Sequence, residues 1–260
     1  MALTVASDEV QLAELAAERV TQLITQAVAD RGTACVALAG GTTPRRLYEY
    51  LADARHTWHS RIPWSQVQLF WSDERHVPPD HPDSNYRMAK AALIDHVPIP
   101  VDHVHRIHGE LPDARDAAVE YEGELDRVAS AAPPSHLAPA FRRKDHYFDV
   151  MLLGLGEDAH IASIFPGSEL LEPDVGHPFA GCHAAAVWAP HLNVWRITLT
   201  PEAVLDSAHI VVLVAGARKA NAAHSALEEP LNVKTHPAQS LRAAGTRVEW
   251  YLDRAAASRL

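Results

Sequence analysis

Short apolar runs that alternate with helical patterns constrain the fold of this chain more than any other feature. Runs that suit buried strands cover residues 33–39, 67–71, 149–155 and 209–215, and a helical pattern precedes or follows each of them. Such alternation is typical of strands that lie parallel in one sheet with helices on both faces. We therefore predict an α/β fold with a Rossmann-like, mostly parallel sheet flanked by helices.

Helix boundaries can also be predicted near both ends of the chain. Residues 10–29 repeat apolar side chains at helical spacing, and Gly32 follows where a C-terminal cap is expected. Pro44 is suited to the start of a second helix that runs through Leu47 and Leu51. These signals place a helix on each side of the first predicted strand.

The ends of helices and strands are less clearly marked in the second half of the chain. Residues 196–199 and 248–252 are predicted to be further strands, and Thr200-Pro201 to be the cap and first residue of a helix. A Pro/Ala-rich stretch at 129–140 follows an amphipathic segment, and we interpret it as a long surface loop rather than a domain linker. The chain is accordingly expected to form one domain over residues 1–260.

Composition limits the possible partners. The chain has 33 acidic and 23 basic residues, a formal net charge of −10, which argues against general binding to nucleic acid or to an anionic membrane. Cys35 and Cys182 form no paired motif and are expected to be buried thiols in a reducing compartment. With no basic leader before an apolar run and no apolar stretch of about 18 residues, the chain is expected in the cytoplasm.

The first candidate site segment is Gly40-Gly41-Thr42-Thr43, which follows a predicted strand and precedes a helix. Small residues there let the backbone approach an anion, and the two hydroxyl groups add hydrogen-bond donors. A tight turn between strand and helix needs glycine in any case, so a purely structural role is also open. The segment lacks the lysine of a nucleoside triphosphate loop.

The second segment, residues 71–76, places Asp73 and Arg75 directly after a buried strand. Clustered charges of this kind are often only a solvated loop. In a parallel sheet, however, ligands bind beyond the carboxyl ends of the strands, and this position favours a site.

The third segment, residues 154–160, ends in Asp158 and His160. It superficially matches a dinucleotide fingerprint, but Glu157 and Asp158 would face a pyrophosphate with like charge, and Pro166-Gly167 would interrupt the required helix. A carboxylate beside an imidazole can hold its tautomer and raise its basicity, so His160 is a candidate general base. A lone histidine is more often structural, and that alternative stays open.

The histidine count invites a search for metal sites. His103, His105 and His108 have a tempting spacing, but only Glu110 lies near them as a further ligand and the segment is a loop flanked by proline. We expect neither a metal ion nor an organic cofactor, and we attribute the surplus of histidines to surface composition.

Three ordered motifs together resemble the 6-phosphogluconolactonase family. They are Gly40-Gly41-Thr42-Thr43-Pro44, residues 71–78 together with Ser84-Asn85-Tyr86, and residues 154–166; the resemblance runs from the first helix to residues 252–254. It implies the fold shared by glucosamine-6-phosphate deaminases and ribose-5-phosphate isomerases. It also implies hydrolysis of 6-phospho-D-glucono-1,5-lactone in the oxidative pentose phosphate pathway.

The resemblance further implies roles for individual residues. His160 would be the general base with Asp158 supporting it, and Arg75 would stabilise the oxyanion. Our own hypothesis adds that the phosphate lies on Gly40, Gly41, Thr42 and Thr43 with help from Lys219 and Arg196, and that Asp73 contacts the substrate. The chain departs from the family pattern at Ala159, where the family has glycine, and at Ile161, where threonine is common; Ala159 matters if that position requires a positive φ.

Two other functions remain open from the sequence. A sugar-phosphate isomerase or deaminase would resemble the same motifs, although the deaminase pattern carries glutamate where this chain has Phe165. A sugar-phosphate sensor would need a DNA-binding module, for which the region before the first strand is too short and too acidic. The expected partner is a small sugar-phosphate lactone, and the expected assembly is a monomer or a weak homodimer.

Overall fold

A six-stranded, all-parallel sheet forms the framework of this computed structural model, which describes residues 1–130, 146–172, 179–190 and 192–260. The strands in chain order are β1 (Ala2–Ala6), β2 (Ala34–Leu38), β3 (Val67–Trp71), β4 (Asp73–Arg75), β5 (Phe148–Gly154), β6 (Ala184–Ala189), β7 (Val194–Leu199), β8 (Ser207–Val214) and β9 (Val248–Asp253). The parallel sheet has the order β1-β9-β8-β5-β2-β3. The predicted α/β fold is confirmed.

Helices connect these strands. In chain order they are α1 (Glu9–Arg31), α2 (Thr42–Ala52), α3 (Thr57–Arg61), α4 (Asn85–Ala92), α5 (Ala114–Ser130), α6 (Pro201–Leu205) and α7 (Ala220–Leu227). Every residue of β2 is buried, as expected for a strand covered on both faces. Buried apolar residues of both sheets belong to one hydrophobic cluster.

Local signals account for the helix ends that could be predicted. Asp8 accepts hydrogen bonds from the amides of Val10 and Gln11 at the start of α1, and Gly32 ends the helix with φ 76°. Helix α2 begins at Thr42, two residues before the predicted start at Pro44. Helix α5 extends to Ser130, so the first two residues of the predicted loop at 129–140 are helical. The remaining residues of that loop lie outside the described part of the chain.

A second sheet is the main feature that the sequence analysis did not predict. It is antiparallel with the order β4-β7-β6, and only β7 was anticipated as a strand. Strand β4 has three residues, all charged, and β6 begins with three alanines, which individually favour helix over strand. In this small sheet Arg75 of β4 pairs with Arg196 of β7, and both were predicted from the sequence to be site residues.

Helix α6 has the predicted start. The hydroxyl of Thr200 accepts from the amide of Ala203 at 3.3 Å and donates to the carbonyl of Cys182 at 2.7 Å, and Pro201 is the first helical residue. Thr200 is buried, with 3% of its surface exposed, so neither bond is readily replaced by water. No helix in the described ranges is both long and apolar enough to cross a membrane.

Removing this hydroxyl tests the cap. Thr200→Val keeps the shape of the side chain, and we expect it to lower the free energy of unfolding by about 1–2 kcal/mol, the usual range for a lost N-cap. Thr200→Ser keeps the hydroxyl and should cost clearly less. Urea denaturation of the three proteins measures the difference, and a Thr200→Val protein as stable as the parent would contradict the assignment.

Candidate active site

A cavity of about 390 Å³ lies where the carboxyl ends of β2, β3 and β5 meet. The turn after β2, the segment after β3 and the loop after β5 form its walls, and β7 and the segment after β8 complete it. Its lining comprises Ala39, Gly40, Gly41, Ser72, Asp73, Arg75, Asn85, Gly154, Leu155, Gly156, Glu157, His160, Ala162, Ser163, Phe165, Leu192, Arg196 and Lys219. The three segments singled out from the sequence therefore reach one cavity.

The turn after β2 brings backbone rather than side chains to the cavity. Gly40 and Gly41 line it, whereas Thr42 and Thr43 are the first two residues of α2 and are not part of the lining. A Cβ atom on Gly40 would lie 2.0 Å from Oδ1 of Asn85, so only glycine fits. No side chain caps the start of α2, which leaves its first amides available to an anion.

His160 and Asp158 form a hydrogen-bonded pair in the wall of the cavity. Nδ1 of His160 lies 2.5 Å from Oδ1 of Asp158, and the backbone amide of His160 donates to the same oxygen at 3.2 Å. Burial raises the pKa of Asp158, but the hydrogen bond and charge of His160 outweigh it and lower the pKa to about 2. An ionised Asp158 holds the proton of the neutral imidazole on Nδ1, which leaves Nε2 as the basic nitrogen.

The loop that carries this pair has an unusual backbone. Ala159 has φ 64° and Ala162 has φ 48°, the left-handed region that costs a residue with a Cβ about 1–2 kcal/mol. The departure from glycine at residue 159 thus falls on a position that does require a positive φ. Ala159 is nevertheless held there by its neighbours, since its amide donates to Gly156 and its carbonyl accepts from Ala238.

Two arginines face the cavity side by side. Arg75 and Arg196 are partners in the register of β4 and β7, and Nε of each is buried without a hydrogen-bond partner among the described residues. Burial, and then the charge of Arg75, lower the pKa of Arg196, while Asp73 and Glu74 oppose the shift. Buried donors left unused beside a like charge are costly, so this pair is suited to an anion.

Lys219 supplies the third cation of the lining. Burial lowers its pKa, and the charge of Glu157 acts in the opposite direction. Lys219 follows β8 directly before α7, so it reaches the cavity from a different part of the sheet than the two arginines.

Asn85, Ser163 and Glu74 organise the site, although no role was predicted for them from the sequence. Asp73 accepts from Nδ2 of Asn85 at 3.1 Å and from the hydroxyl of Ser163 at 2.6 Å, and so links the loop after β5 to helix α4. The motifs already contained these three residues, but neither their burial nor their partners can be read from spacing.

The carboxylate of Glu74 holds the segment after β3 in place through hydrogen bonds. It accepts from the amides of Arg75, Asn85 and Tyr86 at 2.7–2.8 Å and from the hydroxyl of Ser84 at 3.0 Å. Burial raises its pKa and these four donors oppose the shift. Glu74 thereby joins Arg75 to the start of α4.

The histidines considered for a metal site do not converge. His105 lies between Glu124 and Gln68, His108 pairs with Glu120, and His103 faces a backbone carbonyl. Over the described ranges, the group with metal-ligand geometry is Glu122, Asp126 and His183, away from the cavity. Both oxygens of Glu122 already accept from His183 and Ala184, which explains this group without an ion.

Comparisons with known proteins agree with the geometry. Residues 7–250 match the family model described as glucosamine-6-phosphate isomerases/6-phosphogluconolactonase. A 6-phosphogluconolactonase of Synechocystis sp. is 36% identical over 96% of this chain and 94% of its own length. The structure of 6-phosphogluconolactonase from Trypanosoma cruzi superposes with a TM-score of 0.79 at 27% identity, covering 100% of this chain and 96% of that one.

The same fold occurs in a monomeric glucosamine-6-phosphate deaminase, with a TM-score of 0.78 at 20% identity over the full length of both chains. At that identity the likeness shows the fold alone. The expected superfamily fold is confirmed.

Gly156 makes the room that His160 occupies, and its replacement tests the pair. A Cβ on Gly156 would lie 2.0 Å from Nδ1 of His160 and 2.5 Å from Oδ1 of Asp158, so we expect Gly156→Ala to push the imidazole off the carboxylate. Histidine-selective ¹⁵N NMR should show the loss of the Nδ1-protonated form of His160.

Gly123→Ala is the matched control. Among the described residues, and apart from the adjoining backbone of helix α5, no atom lies within 4 Å of a Cβ at Gly123, so this variant should keep the His160 signals and gain stability by about 0.5–1 kcal/mol. Unchanged His160 resonances in Gly156→Ala would contradict the packing described above.

Proposed function

We propose, because this chain belongs to the glucosamine-6-phosphate isomerase/6-phosphogluconolactonase family, that it hydrolyses 6-phospho-D-glucono-1,5-lactone to 6-phospho-D-gluconate. This is the lactone-opening step of the oxidative pentose phosphate pathway. The observation that carries the proposal is the His160–Asp158 pair, placed in the wall of a cavity that three cationic side chains also line.

His160 acts as the general base in this proposal. Nδ1 holds its proton against Asp158, so Nε2 accepts a proton from a water molecule as the water attacks the lactone carbonyl. The carbonyl oxygen becomes an oxyanion in the tetrahedral intermediate. The bond from the carbonyl carbon to the ring oxygen then breaks, and the protonated His160 returns the proton taken from water to the ring oxygen, which becomes the hydroxyl of the open acid.

Arg75 is assigned to the developing oxyanion. Its guanidinium lines the cavity with Nε buried and unused, and its position is fixed through Glu74 and through a bond to the carbonyl of Asp83. A cation fixed before the reaction stabilises charge without having to reorganise. Because a lactone is an activated ester, one base and one cation suffice without a metal ion or organic cofactor.

The phosphate is assigned to the start of α2 and the remaining cations. Gly40 and Gly41 offer close approach to the amides of Thr42 and Thr43, and Lys219 and Arg196 supply positive charge. The backbone amides are preferred to the threonine hydroxyls in this proposal because Thr42 and Thr43 are not part of the cavity lining. Asp73 is left to accept from sugar hydroxyl groups.

One residue of the cavity lining argues against the alternative that the chain is a deaminase. A carboxylate would be expected where Phe165 lies, and Phe165 is an apolar, 93% buried part of the same lining. Incubation with glucosamine 6-phosphate separates the two functions, since ammonia release would favour the alternative.

We also propose a location, a set of excluded partners and an assembly state for the enzyme. The net charge of −10 supports a protein that does not bind nucleic acid, and the substrate class supports a cytoplasmic location. We propose a monomer or weak homodimer, which light scattering across a dilution series tests.

Replacing the base tests the mechanism. His160→Gln is expected to reduce kcat on freshly generated lactone by about 100-fold or more, the usual contribution of a general base. Proton release is measured with the spontaneous rate subtracted and a chelator present. A folded variant with near-normal turnover would refute the role of His160.

Replacing Lys219 tests the anchor. We expect Lys219→Ala to raise KM for the lactone by at least about tenfold, because a lost charge-assisted bond weakens binding by about 1.5–3 kcal/mol. Exposed Lys234→Ala is the control for the loss of a lysine. An unchanged KM would remove Lys219 from the phosphate site.

A further inference from the structure

The turn that follows His160 folds back on the imidazole. Ile161 and Ile164 form an isolated bridge, and the amide of Ile164 donates to the carbonyl of Ile161 at 2.9 Å. Both isoleucines are buried. The reversal brings the ring of Phe165 beside the imidazole of His160, five residues earlier in the chain. The two ring centroids are 4.7 Å apart, and the ring planes are inclined at 54°.

The turn is anchored to two strands of the small sheet, β7 and β4. The amide of Ser163 donates to Oγ1 of Thr198 on β7 at 3.2 Å, and its hydroxyl donates to Asp73 after β3 at 2.6 Å. Beyond the turn, the amide of Gly167 donates to the carbonyl of Lys234 at 2.7 Å. Phe165 is therefore held on each side and is 7% exposed, so its ring has little freedom to move away.

One hydrogen bond does not fix an imidazole. A ring held only through Nδ1 can still pivot about the line to Asp158, and a pivot carries Nε2 away from any fixed point in the cavity. The backbone of Gly156 limits this motion from close range, as a Cβ there would be 2.3 Å from Cε1. The ring of Phe165 packs on the imidazole as well, with 4.7 Å between the ring centroids.

We propose that Phe165 is a positioning residue for His160: by packing on the imidazole it sets the direction of Nε2. This inference deepens the proposed function and rests on His160 being the base. It assigns Phe165 no contact with the reacting atoms. Misplacement of a catalytic group by about 1 Å can cost up to 100-fold in rate, so an effect on kcat is expected with binding preserved.

The test is Phe165→Leu, which keeps an apolar side chain and removes the flat ring. We expect kcat on the lactone to fall about tenfold with KM within about twofold of the parent. Phe165→Tyr keeps the ring and should restore kcat. The same change at Phe179, which shares a second, apolar cavity with Phe165 but does not line the candidate active site, should leave both constants unaltered.

A second readout separates this inference from the function. In ¹⁵N spectra, His160 of Phe165→Leu should show a broadened ring signal as the imidazole samples more than one orientation, whatever reaction the enzyme performs. A kcat within twofold of the parent, in an enzyme that His160→Gln inactivates, would overturn the role of Phe165 alone.

If His160→Gln stays active, the proposed base fails, and the NMR line shape decides about Phe165 by itself. A sharp, unshifted His160 signal in Phe165→Leu would overturn the packing role. If that variant does not fold, Phe165→Met takes its place with the same expected results.

Discussion

The hydrogen bond from Nδ1 of His160 to Asp158 determines which nitrogen can react, and the loop around it is shaped to keep that bond. Gly156 leaves space for the imidazole, and Ala159 turns the chain through a left-handed conformation between the two partners. Ser163 then ties the loop to Asp73 and Thr198. A strained backbone that several partners hold in place is characteristic of functional loops.

The charged side chains of the site also carry a cost in stability. Arg75 and Arg196 lie side by side with unused, buried nitrogen donors, which lowers the stability of the free protein. Glu74 and Asp73 offset part of this cost, but their oxygens are largely taken up by α4 and Ser163. In the proposed function, an anionic substrate completes the hydrogen bonds of these arginines, and its binding energy then helps to position it.

The sequence predicted the parallel sheet and the three segments of the site because both depend on local patterns. Apolar runs marked β2, β3 and β5, and the carboxyl ends of parallel strands must meet at one edge. The small sheet escaped prediction because β4 is short and charged and β6 is rich in alanine. The pairing of β4 with β7 joins residues that are far apart in sequence, such as Arg75 and Arg196, and no local pattern records it.

The roles of individual side chains were predicted less completely than the positions of the motifs. Asp158 and His160 were paired correctly because they lie two residues apart. Asn85, Ser163 and Phe165 make contacts that form only when the chain has folded. Thr42 and Thr43, the first two residues of α2, are not part of the cavity lining. Residue type and spacing identify candidate site residues, whereas burial and hydrogen-bond direction indicate the role of each side chain.

The most direct test of the account is a crystal structure of the protein with 6-phosphogluconate bound, in which the distance from Nε2 of His160 to the product carboxylate is measured. The account predicts a distance of about 2.6–3.2 Å, directly or through one water molecule, with the phosphate at the start of α2. A carboxylate several ångströms from His160, or a phosphate bound in its place, would contradict it.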